Sequence, residues 1–495
     1  MLKRLSPTRR WPTGVRWPED EVLRDAHLFS RRRPLRRLVV VVDAELHRVG
    51  EFPGVGVPDK GLLLANLLAF SVIDRYLYAD EGPPPTAERV MLAPDWTASP
   101  GWVEVVLGNG EPDAAVYCPE PGQIKRAGLG GNVTILAAED SSTDAYSELS
   151  SEDAARRRRA DMLACQVASQ GVEADLFITE REFLHKRQGY ATHGVTVCTP
   201  AEAIPLVGLY LRTQGIFPIS ARHTFGRGLF YWVGARELLG SAWRWTTACQ
   251  QFSTGSADPS LAILAQSLLQ RLDRALEVRD QVHVSLMNER SGEALDDALS
   301  GLDSILIAFM AAFDVTSRVA HRILKLEGSE REAGWQSNSW RRKVGRTARE
   351  LGELMAPGSE GHHLLTLVRL LRNSVHGTAL QGLTYAKQGG SKRMLVGLPL
   401  DDEAEVLAAM GALGGEDAWG VQSLIPGQTH SDPGVFVERL FALAIPTIND
   451  ILDRTPVERL PHVRLRQPDR EPPTGDDADV FDLWKRQSIR WQLGL

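Results

Sequence analysis

The sequence predicts an α/β domain with a mainly parallel sheet, followed by a helical bundle. Three observations predict it. Short apolar runs rich in β-branched residues alternate with helical patterns up to about residue 215. Beyond about residue 235 the apolar positions recur at helical spacing. Strand signals become weak over that second half until KRMLVGLPL, which reads as a short hairpin arm.

The first strand is LVVVVD. Leu38 to Val42 form a continuous apolar run, the pattern of a strand buried on both faces. Asp43 stands at its carboxyl end, the edge of an open α/β sheet where ligands bind. DKGLLLANLLAFSVIDRYLY follows as a helix. Further strands are expected at RVMLA, WVEVVLG, NVTILAA, ADLFITE and GVTVCT. SSEDAARRRRADMLACQVASQG opens with a capping-box-like Ser-x-x-Asp and closes at Gly171. TPAEAIPLVGLYLRTQG opens with Thr199 as N-cap and Pro200 at the first helical position.

Five segments result. Residues 1–35 are a basic lead-in arm, in which RRRPLRR is either a solvated collar or a nucleic-acid contact. Residues 36–215 are the three-layer α/β domain, and 216–255 an aromatic-rich connector. Residues 256–460 are the helical bundle, and 461–495 a linker with a C-terminal amphipathic helix. Trp484 and Trp491 share one face of that last helix, which is expected to dock on the body. Phe230, Tyr231, Trp232, Trp243 and Trp245 either stack on bases or fill a seam between domains.

The bulk composition excludes some classes. A net charge of -7 does not suit a protein that coats nucleic acid through its overall charge, though a local basic site remains open. The four cysteines are far apart and form no C-x-x-C pair, which argues against a zinc ribbon and suits the cytoplasm. No signal peptide or membrane span is expected. The glycine-containing stretch between Gly108 and Asn132 lacks the spacing of a nucleotide-phosphate loop.

LVRLLRNSVHGTAL carries the first candidate site. On a helix, Arg369, Arg372, Asn373 and His376 share one face, while Leu367, Val368, Leu371 and Val375 pack on the others. The bland reading is a solvated stripe or an ion-pair network. The chemical reading is phosphodiester cleavage without metal: an arginine fork holds non-bridging oxygens, the histidine moves a proton and the asparagine orients. A two-fold dimer would supply a second histidine.

LLRNSVHG resembles the signature of the HEPN superfamily, helical bundles that carry an Arg, often followed by a polar residue, and then a His. Many members are ribonucleases of toxin–antitoxin, abortive-infection and CRISPR systems. The resemblance spans about 260–385, with LIAFMAAFDVTSRVAHRIL similar to the long first helix and Asp314 and Arg318 as polar neighbours. Arg372–Asn373 precedes His376 at a shorter spacing than the family's. Arg369 fits the spacing but lacks the adjoining polar residue, so either arginine is a candidate.

The α/β half is similar to PIN-like nucleases. VVVVDAEL, ADMLACQVASQGVEADLFITEREFL and GVTVCTPAEAIPLVGLYLR match that family's first-strand Asp, its Asp-led helix, its acidic strand end and its closing helix. The resemblance implies Mg²⁺ or Mn²⁺ held by Asp43, Asp161 and Glu180, with Glu182 the other flanking acid and Asp74 a candidate for the family's helix Glu. Arg181 stands where the family has an Asp, and a guanidinium there competes with a cation.

Together these imply an RNase or RNA-directed effector of the toxin or phage-defence kind, with no cofactor at the helical site. RNA, a partner protein or antitoxin, and a second copy of the chain are the expected partners. Two alternatives stand beside it: a degenerate RNA- or protein-binding scaffold, and a metal-dependent PIN-type nuclease.

Overall fold

Strand β1 (Leu38–Asp43) is the hub of the first half, because its apolar side chains are buried on both faces of the sheet. The computed structural model describes residues 37–43, 60–79, 101–106, 113–117, 124–128, 145–186, 195–220, 223–287, 292–373, 380–386, 392–425, 427–466 and 482–495. The arm at 1–35, the runs RVMLA and NVTILAA, Cys118 and His376 lie outside the described residues.

The chain divides into two compact units, Met1–Phe225 with Trp491–Gly494, and Gly226–Arg490 with Leu495. The first is α/β. After β1 come α1 (Lys60–Leu68), β2 (Ile73–Ala79), β3 (Gly101–Val106), β4 (Asp113–Tyr117) and β5 (Ile124–Gly128). They are followed by α2 (Ser151–Gln166), β6 (Leu176–Ile178), α3 (Glu182–Lys186), β7 (Thr196–Cys198) and α4 (Pro200–Thr213). Among the described residues, seven strands form one sheet in the order β5-β4-β3-β2-β1-β6-β7. β3, β2, β1, β6 and β7 run parallel, and β4 and β5 add an antiparallel edge.

One stretch read as helix is in part a strand. The helix ends at Leu68, and IDRYLYA pairs in parallel with β1, Leu38 opposite Ile73 and Asp43 opposite Tyr78. An isoleucine and two tyrosines, the tyrosines at alternate positions 76 and 78, favour a strand, and a short apolar run carries little period information of its own. The sequence reading also passed over β4 and β5.

Val41, Tyr78, Val103 and Phe177 line one face of the sheet, where they meet Met162, Leu163 and Cys165 of α2. Val40 and Val42, on the other face, are equally buried. α1 and α4 pack together, and Tyr210 of α4 donates to the Val72 carbonyl and accepts from Leu38 N. The expected caps are present. Ser150 accepts from Asp153 N, and Thr199 and Glu202 form a full capping box behind Pro200.

The residues read as a connector are folded elements: the β8–β9 hairpin (Phe217–Ser220, His223–Phe225), α5 (Arg227–Leu238) and α6 (Ala242–Ser256). The unit boundary falls after Phe225, so the two helices belong to the second unit. Phe230, Tyr231 and Trp245 are buried there, and Trp232 and Trp243 are half-buried.

The second unit is largely helical. α7 (Ser260–Met287) and α8 (Gly292–Ile323) pack along their length. Gly301 lets them close: a Cβ there would lie 2.5 Å from Val282 Cγ2. By length and hydropathy α8 could cross a membrane, and half of its most apolar stretch is buried among its neighbours. α9 (Asn338–Thr347), α10 (Arg349–Leu354) and α11 (Glu360–Asn373) follow. The expected hairpin arm is larger than the sequence suggested. β10 (Gly382–Ala386), β11 (Lys392–Gly397), β12 (Val421–Ile425) and β13 (Gln428–Ser431) form an antiparallel sheet, with α12 (Glu403–Ala412) between its halves. α13 (Pro433–Arg454) completes this unit's core. In the final helix α14 (Leu483–Leu493), Ile489 and Leu493 are buried.

Candidate functional site

Two of the three expected metal ligands meet. Asp43 leaves the end of β1, and Asp161 sits on the third turn of α2, facing the sheet. Both are sealed from solvent, at 2% and 0% exposed. Between them lies Arg181, 4% exposed, from the turn after β6. Its Nε donates to Asp43 Oδ2 at 2.5 Å and its Nη1 to Asp161 Oδ1 at 2.8 Å. Thr179 Oγ1 donates to the same Asp43 oxygen at 2.9 Å and accepts from Arg181 N at 3.2 Å. The guanidinium also lies 4.9 Å from the centre of the Tyr78 ring.

Further side chains close the cluster. Tyr146 donates its hydroxyl to Asp161 Oδ2, and Arg157, one turn before Asp161, is 3.6 Å from Oδ1. Tyr146 adopts φ 64°, a left-handed conformation unusual for an aromatic residue, and its N–H donates to Glu182. Burial raises the Asp161 pKa above the ordinary carboxylate value, against the pull of Arg181 and Tyr146. Burial works against the Arg181 charge too, but bonding to Asp43 and the charges of both acids raise its pKa. Cys165 beneath them is pushed up to about 12 by burial.

Glu180 does not join this cluster: it is exposed, and no bond from it to Asp43 or Asp161 is seen among the described residues. Asp74 is at the other end of the sheet, where Leu38 pairs with Ile73, and it is bound to Arg37 at 2.5 Å. A divalent ion of the kind the resemblance implies does not fit the residues present. It needs several free carboxylate oxygens, and here a guanidinium already bridges the two acids. Among the described residues no group of three or more His, Cys, Asp or Glu could hold a metal.

The helical candidates stand on α11. Leu364, Leu365, Leu367, Val368, Leu370 and Leu371 are buried, which fixes the helix against its neighbours. Arg369 and Arg372 are half-buried and Asn373 is exposed. Asp314 of α8 is half-buried, and burial raises its carboxyl pKa, against Arg318, Arg372 and Arg271. The sequence had named Asp314 and Arg318 as neighbours of this helix; Arg271 was missed. His376 follows three residues past the described end of α11.

A third polar cluster, in the core of the second unit, escaped the sequence reading. Arg279 binds both oxygens of Glu438 at 2.7 Å each, and His283 Nε2 donates to Oε1 at 2.6 Å. Tyr231 donates to the neighbouring Asp280 at 2.8 Å. Burial pushes Glu438 up, but Arg279 and His283 hold its carboxyl well below the usual range. His283 is lowered by its burial. A signal was available: Arg279 and His283 continue the Leu268–Leu272–Leu276 stripe of α7, where an apolar residue is expected. With every group paired and enclosed, this cluster has no opening for a substrate.

No protein-family model, curated protein or solved structure matches the chain.

Proposed function

We propose that the chain is an RNA-directed effector of the toxin or phage-defence kind, acting in the cytoplasm, with phosphodiester chemistry in a HEPN-like helical unit. The carrying observation is that Arg369 and Arg372 stand half-buried about one turn apart on α11, beside the exposed Asn373, while the leucines of that helix are buried. Preorganised guanidiniums of this kind stabilise the charge that builds on non-bridging phosphate oxygens.

In this reading Arg372, with Arg369 beside it, clamps the phosphate, and Asn373 orients the ribose or the ring. His376 takes the 2′-hydroxyl proton as oxygen attacks phosphorus, or returns one to the departing 5′-oxygen. The second proton transfer falls to the same residue of a second copy, so the active form is a dimer.

The α/β unit, in the same reading, is a PIN-like domain that has exchanged its metal for Arg181 and serves to bind RNA or a partner such as an antitoxin. The enclosed Asp43–Arg181–Asp161 cluster supports this over a metal-dependent nuclease. Cys165, Cys198 and Cys249 are buried and form no disulfide among the described residues, which agrees with a reducing compartment.

The test is RNA cleavage in excess EDTA by wild type, His376→Ala and Arg372→Ala. Cleavage should fall at least about a hundredfold in each variant. Undiminished cleavage by His376→Ala removes the mechanism. Binding without cleavage by wild type leaves the non-catalytic scaffold as the better reading.

A further inference from the structure

The inner members of the α/β cluster are sealed: Asp43, Asp161, Thr179 and Arg181 are all at 4% exposed or less. On the Asp161 side, the contacts that reach solvent are Tyr146 and Arg157, both half-buried. Beyond Tyr146 the chain turns. Leu149 N donates to the Tyr146 carbonyl at 3.1 Å, and residues 147–150 are exposed. Tyr146 therefore stands between a buried ion triad and a turn that faces water.

Two bonds hold this turn shut. The Tyr146 hydroxyl donates to Asp161 Oδ2, and the Tyr146 N–H donates to Glu182 Oε2 at 3.2 Å. The ring also packs on the core that holds Val41, Phe177 and Phe183. Three effects work the other way. At φ 64° an aromatic residue is in a conformation that its Cβ disfavours. The exposed residues 147–150 lose little packing if the turn lifts. Two carboxylates and a guanidinium enclosed together carry a desolvation cost, which water would relieve. The closed state thus depends on a few polar bonds made by one strained residue.

We propose that the turn at 145–149 is a strained latch, which opens locally about Tyr146, admits water to the Asp43–Arg181–Asp161 cluster and leaves the sheet folded. Closed, the tyrosine hydroxyl completes Asp161 and the ion triad is sealed. Open, Asp161 Oδ2 and the guanidinium beside it are reachable from solvent. The left-handed backbone drives the opening, because it relaxes once the hydroxyl lets go. The latch goes beyond the proposed helical chemistry and is independent of it, since it involves no residue of α11.

The experiment is hydrogen exchange of the full chain, read by mass spectrometry on peptides covering 145–150, 179–184 and 38–43. Arg181 N donates to Thr179 Oγ1 at 3.2 Å, so 179–184 reports on the cluster, and 38–43 reports on the sheet. In Tyr146→Phe, exchange of 145–150 and 179–184 should quicken by about tenfold or more, from the loss of a hydrogen bond to a charged acceptor, with 38–43 unchanged. Glu182→Gln should quicken the same two peptides by less. Tyr146→Ala and Tyr146→Gly lose the same bond and ring contacts but differ in their tolerance of φ 64°. Tyr146→Gly should therefore exchange about two- to fivefold more slowly than Tyr146→Ala. Circular dichroism confirms that each variant is folded, and Glu182→Gln, which keeps the tyrosine, carries the test where a Tyr146 variant is not. Unchanged exchange of 179–184 in folded Tyr146→Phe and Tyr146→Ala overturns the latch. So does exchange of 38–43 that quickens in step with 179–184, because the turn then opens only with the whole sheet. Equal rates in Tyr146→Ala and Tyr146→Gly overturn backbone strain as the driving force.

Discussion

In the α/β unit, Arg181 gives its guanidinium to two carboxylates and is 4% exposed. In the helical unit, Arg369 and Arg372 remain half-exposed, and Arg341 keeps a buried Nε without a partner. The first arrangement is electrically complete, whereas the second has an excess of positive charge around one acid, Asp314. A completed buried cluster holds elements together, and an incomplete one at a surface is suited to a ligand. The Arg279–Glu438–His283 cluster lies on the completed side, although it belongs to the helical unit. The contrast therefore follows the completeness of pairing and not the unit or the residue type.

The sharpest way to break this contrast is at Glu438. Glu438→Ala strands Arg279 and His283 in the core, and removing one partner of a buried ion pair costs about 3–5 kcal/mol. Chemical denaturation should show that loss. The combined change Arg279→Met with Glu438→Leu should recover most of it, because apolar pairs of similar volume replace buried ion pairs well. If the double variant keeps RNA binding, the cluster is structural. If it loses binding while folded, the division between complete and incomplete clusters fails.

Arg181→Met comes next. It leaves Asp43 and Asp161 facing each other in a sealed space, at a cost of about 3 kcal/mol or more. Wild type should show no shift of its thermal midpoint with Mg²⁺ or Mn²⁺, because the guanidinium already holds both acids. A midpoint that rises with either ion, together with metal-dependent cleavage lost in Asp43→Asn, would restore the metal-nuclease reading.

Asp43 and Asp161 could be picked out in the sequence because each lies in a strong local pattern, a β-branched strand end and a capped helix. Their misfit partner was legible too, since Arg181 stands where an acid was expected. What joins them to Tyr146 was not legible: it depends on one residue in a left-handed conformation, which no local pattern announces. The ends of the Arg279–Glu438 pair are 159 residues apart, and only the interruption of an apolar stripe hints at either. Arg341 was hidden for the opposite reason. It belongs to a basic run that reads as solvated, and its burial depends on Gly361 admitting α11 against Met355. The misread β2 shows the same limit, since IDRYLYA becomes a strand through pairing with β1.

A smaller effect tests pairing by pH. Asp273 of α7 is pushed from 3.8 up to about 7 by burial, against the pull of Arg236 and Arg274. Its Oδ1 has no hydrogen-bond partner among the described residues. The folded protein therefore holds this proton more tightly than the unfolded chain does. Its contribution to stability is fully present below pH 3.8 and is lost as pH rises to about 7. Asp273→Asn should flatten the pH dependence of stability across that window, read from denaturation midpoints against wild type. An unaltered pH profile would mean that water or a nearby cation completes Asp273.

The smallest expected change in stability is the most informative about the open face. Arg369 contributes no buried pairing, so Arg369→Ala should shift unfolding free energy by no more than about 0.5 kcal/mol, as surface changes usually do. The same change should weaken binding of an oligouridylate about three- to tenfold, because it removes a phosphate contact. Arg372→Ala sharpens the point. Arg372 is half-buried at the end of α11, so the fold should tolerate the loss while cleavage does not. The opposite pattern, a large loss of stability with unchanged affinity, would place α11's arginines with the completed clusters and make them struts of the bundle.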